Sequence, residues 1–351
     1  MQSKLILKDG STFIGRSFGY EESKAGELVF ATGMVGYPES LTDPSYEGQI
    51  LVMTYPIIGN YGVPEKFFWE SSRIHVAGLI VNQYIDTPSH FLSRKTLSTW
   101  LKKEKVPGLM VEDTRYLTQL LRDKGSQLAK IVFKKDVAFD DPNKRNLVTQ
   151  AVTLRVTRLG KGSKTIVLID CGVKENIRRS LLQRNVRLIT VPWDFDIFSL
   201  NEKIDGVVIS NGPGDPKMTG VTIETTKKIL AKKIPLLGIC LGNQILALAA
   251  GGDTYKLKFG HRGQNQPCIE QNTKRCYITT QNHGFAIGKI PKGFKPWFVN
   301  ANDKTNEGII HEKYPFMSVQ FHPEAVPGPV DTEWIFDKFL DQISKVKKLI
   351  I

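Results

Sequence analysis

Cys240 stands in Ile234-Pro235-Leu236-Leu237-Gly238-Ile239-Cys240-Leu241-Gly242-Asn243-Gln244. A short apolar strand enters a glycine–cysteine–glycine turn there, and the helix-forming run Ile245 to Ala250 follows. This is the strand–turn–helix setting of a nucleophile elbow, with cysteine as nucleophile. The turn is too tight for neighbouring Cβ atoms and needs unusual backbone angles, hence the flanking glycines. It lifts the sulfur above the sheet edge and aims the first helix amides at it, which favours thiolate over thiol. An isolated pattern of this kind also fits a buried cysteine in an ordinary turn.

A cysteine nucleophile needs a base, and the base needs an orienting group. Ser318-Val319-Gln320-Phe321-His322-Pro323-Glu324 is a strand ending in His-x-Glu, 82 residues beyond Cys240. Glu324 reaches His322 through an i, i+2 turn stiffened by Pro323, fixing its tautomer and raising its basicity. The order is then Cys, His, Glu. On its own, His-Pro-Glu is as well a surface turn. Asn211-Gly212-Pro213-Gly214-Asp215, at the end of another strand, brings backbone amides close to developing negative charge. Its spacing matches neither G-x-G-x-x-G nor the lysine-bearing phosphate loop.

The elements needed to position these groups can be read along the chain. Strands at Thr165 to Asp170, Val186 to Val191, Gly206 to Ser210 and around Leu236 alternate with helices at Glu175 to Gln183, Glu224 to Lys232 and after Cys240. Continuously apolar strands of this kind are buried on both faces, as in a doubly wound parallel sheet that binds ligands at its carboxyl edge. Residues 1 to about 135 are mostly β, punctuated by Asp9-Gly10, Gly36-Tyr37-Pro38 and Asp43-Pro44, with helices at Ser93 to Lys103 and Asp113 to Lys124. The class is therefore α/β. A mostly β domain with a few helices spans 1–150, a polar linker 151–163, and a doubly wound, mostly parallel domain 164–351.

With 351 residues, 41% hydrophobic and 24% charged, the composition is that of a globular protein of two domains. No apolar run reaches the roughly 20 residues of a membrane helix, and Met1 leads almost directly into the strand-like Lys4-Leu5-Ile6-Leu7. No membrane association and no leader are expected, which suits cytoplasm, or plastid stroma for an organelle-encoded chain. The net charge of +13 is scattered, with no nucleic-acid-binding signature, and suits a lysine-rich surface or an acidic protein partner. Cys171, Cys240, Cys268 and Cys276 show no metal-ligand spacing and are expected as reduced thiols, all but Cys240 inert small hydrophobes.

Taken together, the glycine loop, the cysteine elbow and His322-Pro323-Glu324 resemble the GPGxP, GxCxGxQ and HPE motifs of class I glutamine amidotransferases, in that order over roughly 164–345. The resemblance implies that Cys240 attacks the side-chain amide of glutamine, that His322 takes and returns the proton, and that Glu324 orients His322. Amides of Gly212 and Leu241 would form the oxyanion hole for a γ-glutamyl thioester path. The front half resembles the carbamoyl-phosphate synthase small-chain family in Leu41-Thr42-Asp43-Pro44-Ser45-Tyr46, Thr54 to Gly62 and Asp113 to Thr118. Phe259-Gly260-His261 and Thr279 to Ala286 extend that likeness into the rear half.

By this second likeness Ser45, Gly212, Gly214, Leu241, Gln244, Asn282, Gly284 and Phe285 would contact L-glutamine, and Ser45 would close the pocket from the other domain. The partner implied is a large synthetase subunit holding ATP, Mg²⁺ and bicarbonate; this chain itself would bind no cofactor or metal. Asn243 stands where the family usually has histidine, so no titrating group is available there. Gln264 and Gln266 replace the usual Gly and His. His283, with no carboxylate beside it, reads as structural or partner-facing. Two other functions remain open: a stand-alone cysteine amidohydrolase, told apart by the absence of a synthetase partner, and a non-catalytic glutamine-sensing module, disfavoured by Cys240, His322 and Glu324 all being present.

Overall fold

The computed structural model describes residues 3–152 and 154–349. Two units are distinct by their internal contacts: Met1–Leu147 with Lys258–Gly263, and Val148–Leu257 with Gln264–Ile351.

In the first unit seven strands close into a barrel. The strands Lys24–Ala31, Gln49–Met53, Gly78–Val81 and Gly108–Val111 run parallel, and antiparallel pairings complete the circuit. Alternate residues serve two separate apolar clusters: Val29, Leu51 and Leu79 pack with Trp69 and Trp100, while Leu28, Ile50 and Ile80 pack with Leu117 and Leu121. Asp113 caps the helix Thr114–Lys124 by accepting the Tyr116 amide, and Gly125 ends it at φ 93°. The helix expected over Ser93 to Lys103 starts later, at Leu97, because Thr96 is the residue whose hydroxyl takes the Thr99 amide.

The second unit is built on a ten-stranded sheet. Its centre, Arg187–Pro192, Thr165–Asp170, Gly206–Ile209, Leu236–Ile239 and Phe316–Val319, is parallel throughout. The sheet is covered on both faces. Ile166, Leu168, Val208 and Leu237 pack with Ile177, Leu181 and Phe339 on one side, whereas Val167, Ile169, Val207 and Leu236 pack with Ile229, Ile245 and Leu246 on the other. Each such side chain contributes about 1.5–3 kcal/mol of burial, which is why these strands lack a polar alternation.

The stretch read from sequence as a linker, 151–163, holds an edge strand, Thr157–Leu159, paired antiparallel with Arg187–Pro192. Its exposed side chains hid the pairing, since an edge strand is held by backbone bonds that leave no apolar signature. The helix before the Leu236 strand starts at Gly220, four residues ahead of the expected Glu224. Among the described residues no helix is long and apolar enough to cross a membrane.

Candidate active site

Leu236–Ile239 ends in Cys240, and the helix Leu241–Ala249 begins at the next residue. Cys240 has φ 54° and ψ −102°, so the strain of the elbow sits on the cysteine itself. The flanking glycines are there for space. A Cβ on Gly238 would lie 2.4 Å from the Gly242 carbonyl oxygen, and one on Gly242 would lie 2.2 Å from that of Ile209. Both obstacles are backbone and cannot swing aside. Gly242→Ala is accordingly expected to lower stability by about 1–3 kcal/mol, read as a fall in Tm, and to displace the sulfur with it.

Backbone bonds pin the turn: the Cys240 amide donates to Val319 O at 2.8 Å and the Gly242 amide to Ser210 O at 3.1 Å. The Cys240 carbonyl takes the amides of Asn243 and Gln244 at 3.0 and 3.3 Å. The Leu241 amide, first of the helix, is not among these bonds.

His322 and Glu324 follow the neighbouring parallel strand. His322 Nδ1 and Glu324 Oε1 are 2.7 Å apart, and the His322 amide donates to Thr280 O at 2.9 Å. Both side chains are buried, so Nδ1 carries the hydrogen and Nε2 is the working nitrogen. Among the described residues Nε2 has no partner of ordinary hydrogen-bond geometry, while Cys240 is among the groups that hold a proton on the ring.

Lys174, just beyond the carboxyl end of Thr165–Asp170, was not singled out from sequence. Its buried ammonium lies 3.1 Å from Glu324 Oε1 and donates to Ala325 O at 2.7 Å. Asn176 Nδ2 donates to the Glu324 carbonyl, and the Lys174 amide donates to Asn211 Oδ1 at 3.0 Å. One loop thus clamps the His-Pro-Glu turn and the glycine loop together.

Burial works against charge on both members of the pair, and their mutual attraction overrides it. Glu324 raises His322 against burial and the push of Lys174, up to about 10. Lys174 and His322 lower Glu324 against burial, down to about 2. At neutral pH the pair is imidazolium and carboxylate. The stability due to the raised histidine is complete below pH 6.5 and lost as pH climbs through about 10. That due to the lowered glutamate is complete above pH 4.5 and lost as pH falls through about 2. The urea midpoint is therefore expected to fall on both sides of a plateau between these limits, and to fall less steeply in His322→Asn.

The glycine loop lies beside the elbow. A Cβ on Gly212 would meet Cys171 O at 2.0 Å and Leu241 Cδ2 at 2.8 Å, and Gly214 has φ 85°. Asn282 contributes its carbonyl, which accepts the Cys240 thiol at 3.7 Å. Gln244 spends both amide hydrogens inside the protein, on Phe285 O at 2.9 Å and Gln320 Oε1 at 3.1 Å. These two bonds use the Nε2 end of the side chain and leave its Oε1 out of them. Asn243 is buried, donating to Gln320 Oε1 at 3.0 Å and accepting from Ser318 Oγ at 2.7 Å.

Gly284 and Phe285 continue the same strand, Cys276–Lys289. His283 is buried on it, Nδ1 at 2.8 Å from Phe285 O and Nε2 at 3.1 Å from Gln281 Oε1. Ser45 belongs to the first unit, buried in the turn Pro44–Tyr46, its amide held by Asp43 Oδ1 at 2.9 Å. Cys171 and Cys268 are buried, but Cys276 is exposed and so departs from the reading of an inert small hydrophobe.

A cysteine at a strained strand–helix elbow and a buried histidine–carboxylate pair beside it, on an α/β sheet, are the parts that a thiol nucleophile requires. Residues 167–342, half of the chain, match the profile "Glutamine amidotransferase class-I", and the chain belongs to that family. Residues 5–131 match "Carbamoyl-phosphate synthase small chain, CPSase domain".

Multifunctional protein pyr1-3 of Dictyostelium discoideum is 47% identical over 97% of this chain and 17% of its own length. Human mitochondrial carbamoyl-phosphate synthase [ammonia] is 47% identical over 99% of this chain and 24% of its own length. The chain thus spans 17–24% of the length of these relatives. Among solved structures, a glutamine amidotransferase from Thermotoga maritima is similar at 22% identity and TM-score 0.40, over 53% of this chain and 86% of that one.

Proposed function

We propose that this chain is the glutamine-hydrolysing component of a carbamoyl-phosphate synthase. The observation that carries the reading is Cys240 at φ 54° next to the buried His322–Glu324 pair. Cys240 Sγ, as a thiolate beside the His322 imidazolium, adds to the side-chain amide carbon of L-glutamine, and the oxygen's charge is met by the Gly212 and Leu241 amides. His322 hands its proton to the leaving nitrogen, ammonia departs, and a γ-glutamyl thioester remains. His322 then deprotonates a water that adds to the thioester; glutamate leaves, its acid proton passes to solvent, and the thiolate and imidazolium are restored. Acid–base assistance of this kind contributes about 10²–10⁴-fold, and each oxyanion donor about 10²–10³-fold.

Ammonia passes to a synthetase partner that combines it with bicarbonate and two ATP, and the nucleotide and Mg²⁺ chemistry belongs to that partner. The similarity of the chain to parts of much longer proteins supports such a partner, fused or separate. Carbamoyl phosphate made this way would feed pyrimidine and arginine synthesis, in cytoplasm or plastid stroma.

One relative is named for ammonia, so overall similarity does not choose between hydrolysis and mere glutamine recognition. The intact Cys240, His322 and Glu324 favour hydrolysis. The deciding measurement is glutamate release from L-glutamine, with and without added synthetase. Release by the wild type in either condition supports the reading, and none in both would leave a binding module.

A further inference from the structure

Gln320 has no role in the scheme above, yet its side chain is completely buried between the nucleophile and the residue that faces the substrate. Its Nε2 lies 3.6 Å from Cys240 Sγ. Its Oε1 accepts from Asn243 Nδ2 at 3.0 Å and Gln244 Nε2 at 3.1 Å. Two N–H donors on the oxygen fix the amide's orientation, so the NH₂ end must point at the sulfur. The sulfur therefore sits between an acceptor, Asn282 O, and a donor, Gln320. The acceptor serves the thiol and the donor serves the thiolate.

We infer that Gln320 is a positioning residue that stabilises the Cys240 thiolate by hydrogen bonding and ties it to Gln244. The inference deepens the glutaminase reading, and its first half concerns the sulfur alone. Asn243 takes part indirectly. Its amide, anchored by Ser318, holds Gln320 Oε1 in place, which is a use for a non-titrating residue at that position.

The test is alkylation of Cys240 by iodoacetamide, followed across pH 5 to 9 by mass spectrometry of its peptide in the full chain, so that exposed Cys276 does not confuse the readout. Gln320→Glu keeps an acceptor for Asn243 and Gln244 but turns an oxygen toward the sulfur. Gln320→Met removes donor and acceptor without adding charge, and carries the test should the glutamate variant not fold. A hydrogen bond to a charged group implies a fall of about tenfold or more in alkylation rate at pH 7 in either folded variant. Gln320→Glu should also lose kcat with KM for glutamine near wild type, whereas Gln320→Met should raise KM because Gln244 loses its tether.

A folded variant alkylated at the wild-type rate would overturn the inference, as a merely structural role would change Tm and KM alone. If alkylation depends on Gln320 but the wild type releases no glutamate, the glutaminase reading fails and the thiolate contact stands.

Discussion

Cys240→Ser is expected to lower glutamine hydrolysis by at least about 10⁴-fold, because the nucleophile, base and orienting group act as one unit. A serine hydroxyl beside an imidazolium gives up its proton far less readily than a thiol, and the Glu324-stabilised His322 already holds one. The fold should persist, since the elbow depends on Gly238 and Gly242 and on backbone bonds to Val319 and Ser210, none of which the substitution touches. With the proposed synthetase partner present, ammonia-dependent carbamoyl phosphate synthesis should continue at close to the wild-type rate. The measurement is product formation with glutamine and with ammonium chloride side by side. Equal loss with both nitrogen sources would sink the proposed division of labour between this chain and a synthetase.

Glu324→Gln should be the second most damaging change, and for two separable reasons. The neutral amide no longer holds His322 as an imidazolium, and a wrong tautomer costs about 10⁴-fold in a related triad. The substitution also removes the carboxylate charge that lies 3.1 Å from the Lys174 ammonium, a side chain 3% exposed. Breaking a buried ion pair on one side costs about 3–5 kcal/mol. Both kcat and the urea midpoint are therefore expected to drop. Adding Lys174→Met to Glu324→Gln should recover much of the stability and none of the turnover. A double variant that regained activity would show that Glu324 serves only to neutralise Lys174.

The local geometry of the site was legible where cause and effect lie within a few residues. Gly238 and Gly242 announce a turn with no room for Cβ atoms, and His322 and Glu324 are joined by a two-residue step. The runs Thr165–Asp170 and Gly206–Ile209 are apolar at every position because both faces are covered, which is a statement about the sheet that a single strand can make. The first unit gave less away. Its strands alternate between two clusters, each apolar, so the pattern reads as β without revealing that the sheet closes on itself.

Lys174 was passed over because its partner lies 150 residues further along, and one lysine among 48 Lys and Arg residues carries no local mark of being buried. Gln320 was read as part of a strand, with no hint that its amide would be fixed by two side chains from the helix after Cys240. Nor does the chain mark Lys258–Gly263 as belonging with the first unit, since that membership is a matter of contacts far apart in sequence. The amino-acid order alone determined which groups could react and which turns would present them, because turn sterics and strand burial are local. Which lysine is buried against the carboxylate, and which amide faces the sulfur, was decided only when parallel pairing set Phe316–Val319 beside Leu236–Ile239, because hydrogen bonds and ion pairs depend on distances that neighbours in sequence do not control.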